Sequence, residues 1–269
     1  MYKAVISDLD GTLLNEKGKV SDFTRKTVRE LIDKGIKFYI ATGRNYGLAK
    51  AVMDELGITI PLISANGARI NDENGKVVFE DLLGQEEVEK ILEIDYRKYG
   101  GNVFMNVFSG EDWLVPVGGL ECISEEERKA FPELPKEVLE DTLKELEIQK
   151  IFFIGEHEAL VELEKEIIKK TDGKVAVAFA DERCAEFFSE TANKANAAKF
   201  LLERDGIDIK DAVSFGDGEN DYEMLIMAGK GFAMGNAIYR LKNLLPKDFE
   251  IIGKNSDDGE AKKLIELFL

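Results

Sequence analysis

Two carboxylates two residues apart, Asp8 and Asp10 in "AVISDLDGTLLN", close a run of apolar residues and are followed at once by Gly11. At a strand's period of two they lean to the same side, and glycine frees the backbone to turn sharply after them. Like charges that close raise each other's pKa unless a cation or a donor offsets them, so the pair implies a partner elsewhere in the chain. Three further apolar runs also end in polar clusters: Thr42, Gly43 and Arg44; Asn66 and Gly67; and Asp217, Gly218, Asn220 and Asp221 in "FGDGENDYEML". Carboxylates gathered without histidine or thiolate make an all-oxygen site, which suits Mg²⁺ with several retained waters. That charge would let Asp8 stay ionised beside Asp10 and near an incoming anion. Taken alone, "DLDGT" also reads as an acidic turn. It is not an EF-hand: counting from Asp8, the position needing glycine is Leu13 and the one needing glutamate is Lys19, and from Asp217 they are Tyr222 and Ala228.

Composition removes other chemistries. His157 is the only histidine and sits in "IGEHEALVELEKE", where a helix-start or surface role is expected, so Ser/His/Asp and Cys/His catalysis have no other base to use. Cys122 and Cys184 form no CxxC, which leaves neither a disulfide framework nor a thiolate zinc site and reads as idle or buried thiols. A net charge of −17 argues against a nucleic-acid partner. It leaves a small anionic ligand open, because charges are screened over about 8 to 10 Å and local cations decide. The acidic runs "SEEERK" and "GQEEVEK" read as solvated helix faces. No apolar run approaches the ~18 residues of a membrane span, and "MYKAVISDLDG" is no signal peptide, so a cytoplasmic chain without membrane or obligatory protein partner is expected.

The elements that must position these residues are legible in outline. From Lys3 to about Leu83, apolar runs ("KAVISDL", "IKFYIAT", "PLISAN") alternate with amphipathic helices, the first capped by Ser21 and stopped by Gly35. Apolar strands without strict alternation, separated by helices, imply a parallel sheet covered on both faces. Ligands of such sheets bind at the carboxyl ends of the strands. A hairpin, "GARINDENGKVVFEDLL", follows. After Gly84 the texture changes: "QEEVEKILEIDYRKYG" looks helical, and "NVFMNVF", "DWLVPV", "QKIFFIG", "KVAVAFA" and "CAEFFSE" look like strands of a mixed sheet with helices on one face. From "TANKANAAKFLLERDG" the first texture returns. The expectation is an α/β chain: a Rossmann-like, doubly wound core of residues 1–83 and 188–269, with residues 84–187 inserted as an α+β unit. Phe104, Phe108, Trp113, Phe152 and Phe153 are assigned to that unit's core, with alternation leaving some of them facing the cleft.

"DLDGT", "TGR", the lysine opening a helix in "NKANAAKFLLE", and "GDGENDYEML", in that order, resemble the haloacid dehalogenase superfamily of phosphohydrolases. "ISANGA", "AMGNA" and "SDDG" look like its Cof-type sugar-phosphate phosphatase branch, whose inserted α/β cap is of the C2B type. The resemblance implies a Mg²⁺-dependent phosphatase for small phosphorylated metabolites, sugar phosphates foremost. Asp8 would be the nucleophile that forms an aspartyl-phosphate, and Asp10 the general acid and base, also binding Mg²⁺ through its backbone carbonyl. The metal would be held by Asp8, Asp10 and Asp217, with Asp221 a further ligand or an acid behind them. Thr42, with backbone N–H groups near Leu9 and Gly43, would bind the phosphoryl group, and Lys194 would offset its charge and that of Asp8. Asn220 would contact phosphate or sit behind the ligands, Arg44 would anchor substrate or brace the cap, and Asn66 would contact ligand or shape a turn. One departure stands out: where the branch has serine, lysine and glycine, this chain has Asn193, Lys194 and Ala195.

Two alternatives accompany this reading. A phosphomutase of the same fold would need a basic cap pocket, whereas residues 84–187 carry only Arg97, Arg128 and Arg183 as arginines, widely spaced. A phosphometabolite sensor, or a phospho-accepting switch, would not need Asp10.

Overall fold

The computed structural model describes residues 2–100, 102–124, 128 and 134–269; the side chain of Cys122 and most of "SEEERK" fall outside the described residues. The apolar runs of the first third become β1 (Ala4–Ser7), β2 (Lys37–Ala41), β3 (Leu62–Ser64), β4 (Arg69–Asn71) and β5 (Val77–Glu80). The middle third supplies β6 (Phe104–Ser109), β7 (Asp112–Pro116), β8 (Lys136–Val138), β9 (Lys150–Ile154), β10 (Val175–Asp181) and β11 (Cys184–Ser189). The last third adds β12 (Ala212–Gly216) and β13 (Lys230–Ala233). Among the described residues these strands make two sheets, ordered β13-β12-β1-β2-β3-β4-β5 and β10-β11-β9-β6-β7-β8.

In the first sheet, β13, β12, β1, β2 and β3 run parallel, and β4 and β5 close one edge as an antiparallel hairpin. Strand β1 shows why its sequence lacks alternation. Val5 packs among Val28 and Leu31 of the helix Asp22–Asp33 and Leu264 of the helix Gly259–Phe268, while Ala4 and Ile6 pack among Ala198, Leu201 and Leu202 of the helix Lys194–Arg204. Both faces of the strand are buried, as a doubly wound α/β sheet requires. The helices start where side chains accept the amides that a first turn leaves open. Ser21 accepts from Thr24 at 3.0 Å, Asn45 from Leu48 at 2.9 Å and Asn193 from Asn196 at 2.7 Å. Asn193 therefore does the work of the expected serine, and Ala195 is accommodated fully buried behind it.

The second sheet is antiparallel except where β8 joins β7. Its alternation sorts side chains by face. Met105, Val107, Ile151, Phe153, Ala185 and Phe187 form a core with the helices Gln85–Leu92 and His157–Lys170. Phe108, Lys150, Phe152, Cys184 and Glu186 point the other way, into a cleft shared with the first sheet. The segment "QEEVEKILEIDYRKYG", expected as one helix, breaks after Leu92 and resumes as a turn at Tyr96–Tyr99. Ile94 and Tyr96 are both buried, and on a continuous helix residues two apart point about 200° away from each other, so burying both requires the break. His157 opens its helix, donates from Nδ1 to the Glu182 carbonyl at 3.0 Å and meets Phe179 edge-on. Among the described residues no helix is long and apolar enough to cross a membrane.

Candidate active site at the carboxyl ends of the first sheet

Strand β1 ends at Ser7, so Asp8 enters the turn Leu9–Leu13. Gly11 makes that turn at φ +75°, and a Cβ there would lie 2.1 Å from Asp217 Oδ2, so both conformation and space demand glycine. Because β1 lies beside β12, Asp8 and Asp217 leave the sheet side by side. Thr12 Oγ1 donates to Asp217 Oδ1 at 3.0 Å, and Asn236 Nδ2 donates to Asp217 Oδ2 at 3.3 Å and to the Gly11 carbonyl at 2.8 Å. The side chain of Leu9 is buried in the core, which leaves only its backbone to meet a ligand.

Lys194 is the cation that the opening pair implies. Only 1% exposed, its Nζ lies 2.6 Å from Asp8 Oδ1 and 2.6 Å from Asp221 Oδ1. Asp221 turns its other oxygen to the backbone amides of Asp217 and Gly218, at 2.8 and 2.9 Å. Burial pushes Asp8 up to about 8; Lys194 opposes the rise, and Asp221 and Asp10 add to it. Burial, then Asp8 and Asp221, pushes Asp217 up to about 9. Burial alone would lower the Lys194 ammonium, but Asp221 and Asp8 carry it above its ordinary value. Asp8, Asp217 and Asp221 each offer an oxygen within 4.8 Å of the others, and one lysine cannot balance three buried carboxylates. The donor set therefore fits a hard divalent cation such as Mg²⁺. Asp8, Asp217 and Asp221 are the carboxylates gathered where such a cation would be held, and Asp221 also has both oxygens on Lys194 and the Asp217 and Gly218 amides.

Asp10 stands apart. Its carboxylate is 57% exposed and gripped by Arg44, with Nε 2.7 Å from Oδ2 and Nη2 2.6 Å from Oδ1. Arg44 thus takes a task that the sequence did not offer it, positioning Asp10. Thr42 is fully buried at the end of β2; it does not line the cleft, and its Oγ1 accepts the Arg44 amide at 3.1 Å. Gly43 and Arg44 do line the cleft.

Asn66 sits in the turn Ala65–Gly67 that follows β3, and Asn220 lines the cleft; both side chains are also tied to the second sheet. Asn66 Nδ2 donates to Glu186 Oε2 at 2.6 Å, and Asn220 Nδ2 donates to Asn66 Oδ1 at 3.0 Å. Glu186 on β11 also accepts from Lys150 on β9 at 2.5 Å, and Lys150 reaches the Gly43 carbonyl at 2.6 Å. A charge pair from the second sheet thus holds Gly43 and Asn66, with Asn220 Nδ2 also 3.4 Å from Glu186 Oε2, all three in turns that follow strands of the first sheet. Sequence reading passed over both charges, although each interrupts an otherwise apolar strand at the register that faces the cleft: Lys150 pairs with Phe108, and Glu186 with Phe152. Phe108, Trp113 and Phe152 line the same cavity, of about 240 Å³, rather than the second sheet's own core; Phe153 does belong to that core. Burial raises the Cys184 thiol well above its ordinary pKa, which keeps it protonated and inert. Glu260 was also missed. Its Oε2 lies 2.9 Å from Ser7 Oγ, which in turn lies 2.7 Å from the Asp8 carbonyl, and its buried Oε1 has no partner. Burial pushes this carboxyl up to about 8, so near neutrality it carries a proton.

A nucleophile-like carboxylate at the end of a central strand, a buried lysine and a third acid on the neighbouring strand agree with what the whole chain matches. Residues 5–264 match the family described as haloacid dehalogenase-like hydrolase. This chain belongs to that family. It is 37% identical over 269 residues to a protein of Buchnera aphidicola subsp. Baizongia pistaciae named "Putative phosphatase", covering 100% of this chain and 99% of the relative. It is 30% identical over 264 residues to an HMP-PP phosphatase of Yersinia pseudotuberculosis, covering 98% and 94%. A haloacid dehalogenase-like hydrolase from B. subtilis superposes with a TM-score of 0.80 at 25% identity, over 99% of this chain and 100% of that one. A sugar phosphatase of HAD subclass IIB superposes at 0.81 with 24% identity over 98% of each chain, a likeness of fold. This hydrolase is accordingly an enzyme with a Rossmann-like core.

Proposed function

We propose that this hydrolase is a Mg²⁺-dependent phosphatase of small phosphorylated metabolites, working through a phosphorylated Asp8, with residues 84–187 as a cap over a core of residues 1–83 and 188–269. The observation that carries the reading is the unequal setting of Asp8 and Asp10. Asp8 is buried and aimed by Lys194, as a nucleophile must be, whereas Asp10 is solvent-reachable and oriented by Arg44, as a proton carrier must be. Asp8 Oδ attacks phosphorus, the P–O bond to the leaving alcohol breaks, and Asp10 gives that oxygen its proton. Asp10 then takes a proton from the water that attacks the aspartyl-phosphate, which releases phosphate and frees Asp8. Lys194 and the backbone amides near Leu9 and Gly43 offset the charge on the transferring group, and Thr42 holds the Arg44 backbone behind it. Bound between Asp8 and Asp217, Mg²⁺ would neutralise phosphoryl and carboxylate charge together.

Relatives named as phosphatases support the reaction class. The division of roles also favours turnover over sensing, because a sensor gains nothing from an oriented second acid. A mutase reading gains no support from the cleft, where the cap cation Lys150 is already neutralised by Glu186. Sugar phosphates are the narrower class expected from sequence. The experiment is phosphate release from a panel of phosphomonoesters with chelator and with Mg²⁺. Activity should vanish in chelator and return with Mg²⁺, and Asp217→Asn should raise the Mg²⁺ concentration for half-maximal rate by at least roughly tenfold. Full activity in chelator would remove the metal from the mechanism.

A further inference from the structure

The wall of the cleft contributed by the second sheet is built of rings. The centroids of Phe108 and Phe152 lie 4.9 Å apart with planes at 59°, and Trp113 lies 6.4 Å from each. Ile154 extends this face along β9. The polar atoms on the wall are already engaged. Lys150 Nζ donates to Gly43 and Glu186 and sits 4.8 and 5.0 Å from the ring centroids of Phe108 and Phe152. Glu186 accepts from Lys150 and Asn66, and Trp113 Nε1 donates to Asn106 Oδ1 at 3.0 Å. Hydroxyls of a leaving group pressed onto the rings themselves would lose water without gaining partners there, at roughly tenfold in binding for each. A flat ring suffers no such loss and gains edge-to-face or offset contact with the cluster.

Resting on the phosphatase reading above, we propose that the preferred substrates are phosphate monoesters whose leaving alcohol carries a planar, mostly apolar ring. Trp113 and Phe152 are the residues that select it. The ring sits against the cap wall while the phosphoryl group reaches Asp8, so the core sets the reaction and the aromatic wall sets the choice of alcohol.

The test compares benzyl phosphate, cyclohexylmethyl phosphate and glucose 6-phosphate, which separate planarity from apolarity and from hydroxylation. Wild-type kcat/KM should fall in that order, with benzyl phosphate at least about tenfold above glucose 6-phosphate. Trp113→Leu and Phe152→Leu should each bring the benzyl-to-cyclohexylmethyl ratio toward one, and Trp113→Phe should restore it. Glucose 6-phosphate turned over as well as benzyl phosphate, equal rates for the two ring compounds, or a ratio indifferent to the leucine variants overturns the proposal. Because Trp113 is the only tryptophan, its emission reports occupancy of the wall independently of turnover. In Asp8→Asn, benzyl phosphate should shift that emission saturably at lower concentration than glucose 6-phosphate. Such binding without wild-type hydrolysis of any phosphate ester, or of the acyl phosphate acetyl phosphate, would defeat the phosphatase reading and leave the ring preference standing. Hydrolysis of acetyl phosphate with no ring preference in either measurement would do the reverse.

Discussion

The two walls of the cleft treat charge in opposite ways. On the first-sheet wall, Asp8, Asp217 and Asp221 face a single lysine, and burial drives Asp8 to about 8 and Asp217 to about 9. On the second-sheet wall, Lys150 and Glu186 neutralise each other and lie among rings. An unbalanced buried cluster is costly unless something charged arrives, whereas a balanced one is complete. Chemistry that needs an ion and a phosphoryl group therefore belongs to the first wall, and recognition of an uncharged leaving group to the second.

Substitutions should separate the walls cleanly. The largest effect is expected from Asp8→Asn, which removes the nucleophile and should abolish steady phosphate release from every ester; residual turnover with any substrate would place the attack elsewhere. Breaking the balanced pair should act on stability instead. Lys150→Met strands Glu186 and should cost about 3–5 kcal/mol in denaturant unfolding, much of which the double variant with Glu186→Leu should recover. A single variant as stable as the wild type would mean that the pair carries no such burden.

Acidity should distinguish the walls more gently. Asp8, Asp217 and Glu260 have native pKa values raised above their ordinary 3.8, 3.8 and 4.5, so the folded state holds protons that the unfolded state releases. Their contribution to stability is complete below the ordinary values and is lost as pH rises through about 8 to 9. In chelator, the melting temperature should therefore fall between pH 5.5 and 9, and Mg²⁺ should reverse much of that fall; a flat or rising profile would contradict the buried imbalance. The smallest effect is expected from Glu260→Gln, close to isosteric with the protonated acid. Its melting temperature should match the wild type within roughly 2–4 °C at pH 4, the equivalent of ~1 kcal/mol, and exceed it increasingly toward pH 9.

The same contrast explains what the sequence could reveal. The carboxylates of the first wall sit where apolar runs stop, and a carboxylate that ends a strand buried on both faces can only point to the sheet's edge, so Asp8 and Asp217 were legible; Lys194 opens a helix and was singled out only by the family resemblance. Lys150 and Phe152 alternate with Ile151 and Phe153, and until the partner strands fix the register nothing distinguishes the face that meets the helices from the face that meets the cleft. Asn66 and Asn220 were found as polar residues at strand ends, but their partner, Glu186, lies in a segment whose pairing the sequence does not declare. Glu260 reads as an ordinary acid in the first turn of the closing helix, and only the packing of that helix against β1 buries it beneath Ser7.

The division of labour between Asp8 and Asp10 is tested most directly by rapid mixing of Asp10→Ala with p-nitrophenyl phosphate. This leaving group departs as an anion without a proton, so attack by Asp8 should proceed, whereas the water step loses a general base worth ~10²- to 10⁴-fold. The expected trace is a burst approaching one p-nitrophenolate per active site, followed by a slow steady rate, with an alkyl phosphate giving little burst. Wild-type steady turnover of both substrates, with no burst, would show that Asp10 is not the proton carrier.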